Sequence, residues 1–350
     1  MDKVKVSVII PVYNAASTLR RCINSALSQT LDKIEVICVD DGSSDGSAEL
    51  LDSISDPRVR VIRQENKFAG AARNAGIMAA AGDYITFLDA DDIYYSDNVL
   101  NKLYRCAARH NADMVKGGFR YIDNDSKTIS SDDFSRNSSI GILIRVNPKF
   151  RSHPKRFMHT ADVPWNGIYR KKFLVQNDIL FNGLKCVNDH SFYIHCLIKA
   201  QKMRFVYTNT VLYTINQNNS LVAAKLQNFT SQIQSYKIVE GICRSEPDNI
   251  RRAIMRQELA GVFSLYERLD SAAKGSAREE LSELLHNVDE QTIGRDYLRS
   301  FEWAELYSEI RYGTSIKREK LPLLRRISEC YQEHGAVYTL KTIFRRFTGG

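Results

Sequence analysis

Apolar runs recur along the first third of the chain, and segments with helical spacing separate them. The clearest runs are Val4–Ile10, Ile34–Val39 and Tyr84–Leu88, which are typical of strands buried on both faces. Between the first two runs, Ala15–Gln29 carries apolar residues every three or four positions, which predicts an amphipathic helix. Strands that alternate with helices predict an α/β fold, with a mixed, mostly parallel sheet flanked by helices.

The pattern changes in the second half of the chain. Residues 122–164 are polar and irregular, which is long for a loop and indicates a functional insertion. From Leu226 onward the spacing is helical to near the end, with one break at 246–248. We therefore place a boundary near residue 222, between an α/β region and an α-helical C-terminal region.

Carboxylates follow two of the predicted strands. Asp40 and Asp41 come directly after one apolar run, and Asp89, Asp91 and Asp92 come directly after another. Crowded carboxylates repel one another, and a divalent cation with oxygen ligands would relieve this repulsion. On an extended chain Asp89 and Asp91 would face the same side. Since ligands bind beyond the carboxyl ends of parallel strands, we expect both clusters at one edge of the sheet.

Composition narrows the class of protein. The chain of 350 residues is 43% hydrophobic and 26% charged, as in globular proteins. No apolar run is long enough to span a bilayer, and the strand pattern that begins at Val4 leaves no room for a signal peptide. Seven scattered cysteines without a Cys-x-x-Cys pair indicate reduced thiols and a cytoplasmic protein.

Two common nucleotide-binding motifs do not occur. No Gly-x-Gly-x-x-Gly follows the first strand, and the chain contains no Gly-x-x-x-x-Gly-Lys-Ser/Thr. Their absence argues against a dinucleotide-dependent oxidoreductase and against a P-loop NTPase. A diphosphate held through a metal at the acidic strand ends is the remaining hypothesis.

Most of the net charge of +8 comes from the C-terminal tail. Residues 311–350 contain nine Lys or Arg and three Glu, which leaves +6 there. Within the tail, Lys317–Phe347 mixes apolar with basic residues. One interpretation is a basic surface that lies on anionic lipid, and the other is a packed helical region with its charges in solvent.

Four motifs resemble, in order and spacing, those of glycosyltransferase family 2, which are inverting enzymes of the GT-A fold. They are Val-Ser-Val-Ile-Ile-Pro-Val-Tyr-Asn (6–14), Val-Asp-Asp-Gly-Ser-Ser-Asp-Gly (39–46), Ala-Arg-Asn-Ala-Gly (72–76) and Gly-Asp-Tyr-Ile-Thr-Phe-Leu-Asp-Ala-Asp-Asp (82–92). A weaker match continues through Trp165, Arg170 and Asp189 to about Ser220.

The resemblance implies a domain organisation. A GT-A domain, the Rossmann-like fold of nucleotide-diphospho-sugar transferases, would span residues 1–221. Its nucleotide-binding half would be 1–118 and its acceptor-binding half 119–221. The α-helical region over 222–350 resembles no family that we can name.

The resemblance also implies roles on the donor side. The residues expected to bind the donor are Pro11, Val12, Tyr13, Asp41, Asn66, Arg73, Asp89, Ala90 and Asp91. Asp41 would hydrogen-bond the base, which is uracil in most relatives, and Arg73 would lie near the diphosphate or the base. Asp91, together with Asp89, would bind Mn²⁺ or Mg²⁺.

On the acceptor side, Asp189 aligns with the general base of the family. Direct displacement needs a base on the acceptor hydroxyl, and an ionised carboxylate can accept its proton. A helix N-cap is the structural alternative for Asp189. Trp165 and Asn188 are expected acceptor contacts, and Trp165 is equally typical of a protein core.

Two positions depart from the family pattern. Relatives usually carry Glu-Asp where this chain has Asn188-Asp189, so the first acid is missing and the expected base is retained. Relatives also often have glycine two residues after the asparagine that matches Asn66, whereas here the glycine is Gly70. The first departure affects where the general base is expected. The second affects the expected conformation of the loop that follows Asn66.

The function that the resemblance implies is that of an inverting, metal-dependent glycosyltransferase. It would move a hexosyl or N-acetylhexosaminyl group from a nucleotide-sugar, with a UDP-sugar as the expected donor, to a hydroxyl of a cell-surface glycan or lipid-linked acceptor. The main alternative is a non-catalytic scaffold of the same fold that binds a sugar nucleotide or a glycan, for which Asn188 is the only support. A third class, a nucleotidyltransferase that uses the same metal, would leave the Val-Asp-Asp-Gly-Ser motif unexplained, which argues against that class. We expect no nucleic-acid partner, and the basic tail would place the protein at the inner face of the cell membrane.

Overall fold

The computed structural model describes residues 3–123, 129–130, 163–215 and 229–318. The chain divides into two compact units, and the described strands all belong to the first. The described part of the second unit, 229–318, is helical. The predicted boundary near 222 falls between 215 and 229, outside the described residues, and stays a prediction.

The first part of the first unit is a parallel α/β arrangement, as predicted. Its elements are β1 (Val6–Val12), α1 (Ala16–Leu27), β2 (Ile34–Asp40), α2 (Ser47–Asp52), β3 (Val59–Arg63), α3 (Phe68–Ala79) and β4 (Tyr84–Phe87). The strands lie in the order β3-β2-β1-β4, and each pairs in parallel with its neighbour. The carboxyl ends of these strands therefore meet at one edge of the sheet.

The rest of the first unit extends this sheet with mixed pairing. Its elements are β5 (Ile93–Tyr94), α4 (Val99–His110), β6 (Met114–Asp123), β7 (Ile129–Ser130), β8 (Gly167–Arg170), α5 (Lys171–Gln176), α6 (Asn188–Lys199) and β9 (Met203–Ile215). β8 lies antiparallel between β4 and β6, and β9 is parallel to β6. β5 and β7 are short antiparallel additions to β9 and β6. The predicted mixed, mostly parallel sheet flanked by helices is confirmed.

Strand β1 continues through Pro11 to Val12, beyond the apolar run Val4–Ile10 from which the sequence predicted it. Proline has no N–H to donate to a neighbouring strand. β1 pairs with β4 only as far as Ile9, opposite Phe87, so no ladder hydrogen bond to β4 is lost at Pro11. On its other side β1 pairs with β2 up to Val12, opposite Asp40.

Aromatic rings fix helix α6 to the sheet. The rings of Phe181 and Phe192 stack with centroids 4.0 Å apart, and the edge of each meets Phe87 of β4. Tyr169 of β8 packs against Phe87 and Phe192 and is fully buried. Burial of rings of this size dominates core energetics, so the start of α6 is held close to the end of β4.

The second unit is built from helices in its described part. They are α7 (Phe229–Cys243), α8 (Asp248–Glu267), α9 (Ser271–Asn287), α10 (Glu290–Ile293), α11 (Arg295–Ser300) and α12 (Ala304–Tyr312). The predicted break at 246–248 is confirmed, and Phe263 of α8 packs against an aromatic group of Phe301, Trp303 and Tyr307. No helix in 229–318 or elsewhere in the described chain is long and apolar enough to cross a membrane. The predicted basic tail lies, beyond Arg318, outside the described residues.

Candidate active site

Asp41 lies where β1 and β2 end, and its carboxylate is buried. Its backbone N–H donates to the carbonyl of Val12 at 2.8 Å. Its Oδ1 accepts hydrogen bonds from the Gln64 side chain at 2.7 Å and from the Lys67 backbone at 2.8 Å. Gly42 has φ +77°, and a Cβ there would come within 3.1 Å of the next loop, so glycine allows residues 64–67 to approach.

The remaining predicted donor residues at this edge differ in exposure. Val12 is buried and Pro11 is half-buried, whereas the Tyr13 ring is 53% exposed just beyond the strand. Asn66 is exposed, and its Oδ1 accepts the Phe68 N–H at 3.2 Å. Asp40, which is not among the expected donor residues, accepts the Ser43 N–H at 3.0 Å and stabilises the turn.

The segment after β4 is a turn, so the prediction that Asp89 and Asp91 lie on an extended chain is wrong. The backbone N–H of Asp92 donates to the carbonyl of Asp89 at 3.0 Å, which folds Ala90 and Asp91 into the turn. The Asp91 side chain is exposed at the sheet edge, while Asp92 is fully buried. Desolvation by the surrounding protein, followed by repulsion from Asp89, raises the pKa of Asp91 to about 6. Burial, followed by repulsion from Asp91 and Asp89, raises the pKa of Asp92 well above its usual range.

Arg73 of α3 lies behind Asp89 and is 6% exposed. Its Nη2 contacts Asp89 Oδ1 at 2.6 Å and its Nη1 donates to Asn188 Oδ1 at 2.9 Å. Arg73 thereby joins the end of β4 to the start of α6, 115 residues away in the chain. The described contacts of Arg73 orient Asp89, and its predicted contact with the donor stays a prediction.

Helix α6 begins beside this group without a side-chain cap. Val187 occupies the N-cap position with φ +60°, a conformation that β-branched residues rarely adopt. Asn188 is buried against Arg73, and the half-buried Asp189 lies in the first turn. The N-cap alternative for Asp189 is therefore wrong. In the described part of the chain no hydrogen bond engages its carboxylate.

The motif Ala-Arg-Asn-Ala-Gly on α3 organises the loop that leads into α6. The Asn74 side chain donates to the carbonyl of Phe181 and accepts its N–H, both at 2.9 Å. Gly76 packs on β1, where a Cβ would lie 2.4 Å from Ile9. Gly70, six residues earlier on α3, faces the carbonyl of Asn182, and a Cβ there would lie 2.2 Å from that oxygen.

We expect Gly70→Ala to destabilise the protein by about 1–3 kcal/mol, because the added methyl group would overlap a backbone oxygen. Urea unfolding of the full chain measures this change. Gly183→Ala is the control in the loop that Gly70 contacts, since nothing lies within 4 Å of the Cβ position of Gly183. Equal unfolding midpoints for Gly70→Ala and the wild type would contradict the close contact.

Trp165 belongs to an aromatic cluster and is only 5% exposed. Its ring stacks on Tyr213 with centroids 5.3 Å apart and meets the edge of Phe119 at 4.9 Å. Tyr213 is half-buried. Packing accounts for these contacts of Trp165, and its predicted role in acceptor binding stays a prediction.

The carboxylates at this edge fit a divalent cation that is bound together with a ligand. Asp91 is exposed and lies close enough to Asp89 for their charges to repel, which a cation would relieve. Asp89 is also paired with Arg73. Across the described residues, no group of three or more His, Cys, Asp or Glu side chains is arranged to hold a metal. Two carboxylates would occupy only part of the coordination shell of Mn²⁺ or Mg²⁺. Oxygen atoms of a bound substrate and water molecules would occupy the remaining positions.

Comparison with known proteins identifies the family. The sequence model described as Glycosyl transferase family 2 matches residues 7–175. Glycosyltransferase GlyG of Streptococcus pneumoniae is 32% identical over 216 residues, which are 59% of this chain and 70% of GlyG. The chain belongs to glycosyltransferase family 2.

The chain spans about three fifths of the length of another curated glycosyltransferase that it matches. The uncharacterized glycosyltransferase EpsJ of Bacillus subtilis is 31% identical over 217 residues, which are 61% of this chain and 62% of EpsJ. Among solved structures, Staphylococcus aureus TarS 1–349 in complex with UDP-GlcNAc superposes with a TM-score of 0.68 at 18% identity. That match covers 88% of this chain and 87% of TarS 1–349, and it confirms the predicted GT-A fold.

Sequence reasoning missed several residues that shape this site. Gln64 hydrogen-bonds to Asp41, and Thr214 hydrogen-bonds to Asp91 and Asp92. Neither Gln64 nor Thr214 lies in a recognisable motif. Asn74 lies inside the Ala-Arg-Asn-Ala-Gly motif, so a signal for its role was present. The contact of Asn188 with Arg73 was also missed, and the expected contact of Asn188 with the acceptor stays a prediction.

Proposed function

We propose that this chain is an inverting, metal-dependent glycosyltransferase that transfers a sugar from a UDP-sugar to the hydroxyl of a glycan or lipid-linked acceptor. The observation that carries the proposal is that the sheet edge with Asp41, Asp89 and Asp91 is tied through Arg73 and Asn188 to the helix turn that bears Asp189. Donor residues and a candidate base are thus joined in one compact unit. The complex of TarS with UDP-GlcNAc, in a protein of the same fold, supports the choice of donor class.

On this proposal the donor base lies against Asp41. Both described hydrogen bonds to Asp41 are accepted by Oδ1, which leaves Oδ2 for an N–H of the base. Tyr13, 53% exposed beside the strand end, would pack against the nucleoside. Asp91, with Asp89, would hold Mn²⁺ or Mg²⁺. Such a cation neutralises charge on a departing diphosphate.

Asp189 acts as the general base in the proposed reaction. Its carboxylate accepts the proton of the acceptor hydroxyl while the hydroxyl oxygen forms a bond to the anomeric carbon of the donor. The bond from that carbon to the diphosphate oxygen breaks on the opposite face, and the electron pair leaves with the nucleoside diphosphate. Attack opposite to the leaving group inverts the anomeric configuration, so one carboxylate is sufficient as base.

Asn188 does not favour the alternative of a non-catalytic scaffold. Its side chain is buried and hydrogen-bonded to Arg73, so its replacement of an acid leaves the carboxylate of Asp189 in place. The experiment that separates the two functions is release of nucleotide from a panel of UDP-sugars with Mn²⁺ or Mg²⁺. Tight binding without turnover of any UDP-sugar, with or without added glycan, would favour the scaffold.

A further inference from the structure

Asp92 follows the candidate cation ligand Asp91 but has a different environment. Asp91 is exposed, whereas the Asp92 side chain is fully buried. Oδ1 of Asp92 accepts the backbone N–H of Thr214 at 2.7 Å. Thr214 lies 122 residues further along the chain, near the end of β9. A buried carboxylate bonded to a distant main-chain amide is suited to hold two segments together.

Thr214 makes a second contact with the same segment. Its hydroxyl donates to the backbone carbonyl of Asp91 at 2.7 Å. Nη2 of Arg21, on α1, donates to that carbonyl at 2.9 Å and to the Thr214 hydroxyl oxygen at 3.3 Å. The main chain of Asp91 and the side chain of Asp92 are therefore both fixed by Thr214, and Arg21 reinforces the carbonyl contact.

These contacts oppose the repulsion between neighbouring carboxylates. Asp89 and Asp91 carry like charges close enough to interact, and such a pair tends to separate when its backbone can move. The turn has a single internal backbone hydrogen bond, from Asp92 to Asp89. The bonds from Thr214 and Arg21 anchor the residue on which cation binding would depend, as outer-shell partners do in other metal sites.

We propose that Thr214 and Asp92 are positioning residues, which hold the main chain of Asp91 so that its carboxylate faces the cation beside Asp89. Asp92 is then a hydrogen-bond acceptor within the protein and does not bind the cation. The inference rests on the proposed function in one respect, namely that Asp91 is a cation ligand. It adds to that function a structural requirement at the end of β9.

Thr214→Val tests the hydroxyl contact, because valine keeps the shape of threonine and removes the donor. The readout is Mn²⁺ binding to the full chain with saturating UDP, followed by the electron paramagnetic resonance signal of free Mn²⁺. We expect the dissociation constant of Mn²⁺ to rise about 10- to 100-fold. Thr214→Ser keeps the hydroxyl and should restore binding close to that of the wild type.

Thr210→Val is the matched control on the same strand. Thr210 is also fully buried, and its hydroxyl donates to the carbonyl of Gly118 at 2.9 Å, away from the aspartates. The two valine variants should lose similar stability in urea, but Thr210→Val should bind Mn²⁺ as the wild type does. A purely structural role for Thr214 would instead give equal Mn²⁺ binding in both variants, which would overturn the proposal.

Asp92→Asn tests the assignment of Asp92, because asparagine keeps an acceptor oxygen for the Thr214 N–H but is a weaker cation ligand than a carboxylate. We expect Asp92→Asn to retain Mn²⁺ binding and Asp91→Asn to lose it. Equal loss in both would make Asp92 a ligand and would overturn the proposal while leaving the proposed function intact. If the wild type with UDP binds no Mn²⁺, the metal dependence of the proposed function fails, and the positioning role fails with it.

Discussion

Asp91→Asn is expected to reduce nucleotide release from a UDP-sugar by at least about 100-fold, since stabilisation of leaving-group charge by a metal contributes several kcal/mol and each 1.36 kcal/mol is tenfold in rate. The Asp91 side chain is exposed at the sheet edge, so an amide of the same size should leave packing unchanged. What the variant loses is the negative charge. Added Mn²⁺ or Mg²⁺ should therefore no longer stimulate release, which a metal titration of the initial rate measures.

Asp83→Asn is the control for this variant. Asp83 lies directly before β4 and pairs with Lys3 at 2.6 Å, with 40% of its side chain exposed. Its replacement removes one negative charge from the same segment but at the opposite end of the strand. Loss of metal stimulation in both variants would mean that net charge, rather than a ligand at Asp91, is responsible, and full activity of Asp91→Asn would refute its role.

Asp189→Asn is expected to lower the rate of transfer by about 100- to 10,000-fold, the range for removal of a general base. The donor should still bind, because the proposed donor residues lie at the carboxyl ends of β1, β2 and β4 and on or just before α3. The maximal rate should therefore fall while the Michaelis constant for the UDP-sugar stays within a small factor of the wild-type value. Steady-state kinetics with the donor found in the UDP-sugar panel measures both constants.

Asp248→Asn controls for the effect of an acidic residue in the first turn of a helix. Asp248 occupies the first turn of α8, and its side chain is 82% exposed. Loss of its charge should change stability by less than about 1 kcal/mol through the helix dipole and should leave the transfer rate unchanged. For Asp189→Asn, a fall in donor affinity as large as the fall in rate would contradict the assignment of Asp189 as the general base.

The parallel part of the fold could be predicted because its signals are local. Each strand from β1 to β4 is a short apolar run, and the sequence alone shows that carboxylates follow β2 and β4. The meeting of Asp41 and Asp89 at one edge then follows from the geometry of parallel strands. The extension of β1 through Pro11 could not be predicted, since it depends on where β4 stops pairing with β1.

The contacts that complete the site could not be predicted because they join distant segments through ordinary side chains. Arg73 and Asn188 are 115 residues apart, and Asp92 and Thr214 are 122 apart. Neither Asn188 nor Thr214 has a neighbourhood that indicates its partner. The turn at Ala90 and Asp91 was missed for a related reason, since its anchor is a residue of β9.

The position of β8 in the sheet has a consequence for folding of the chain during its synthesis. β8 covers the outer edge of β4, and it is made from residues that leave the ribosome long after β4 does. At common elongation rates the chain from Phe87 to Arg170 takes roughly 4 to 17 seconds to synthesise. Until β8 has been made, β1 is the only strand already synthesised that pairs with β4 in the folded protein, and an unpaired strand edge can pair with another chain. Because β8 is made last of these three strands and lies between β4 and β6, the two parts of the sheet can join only after β8 has been synthesised.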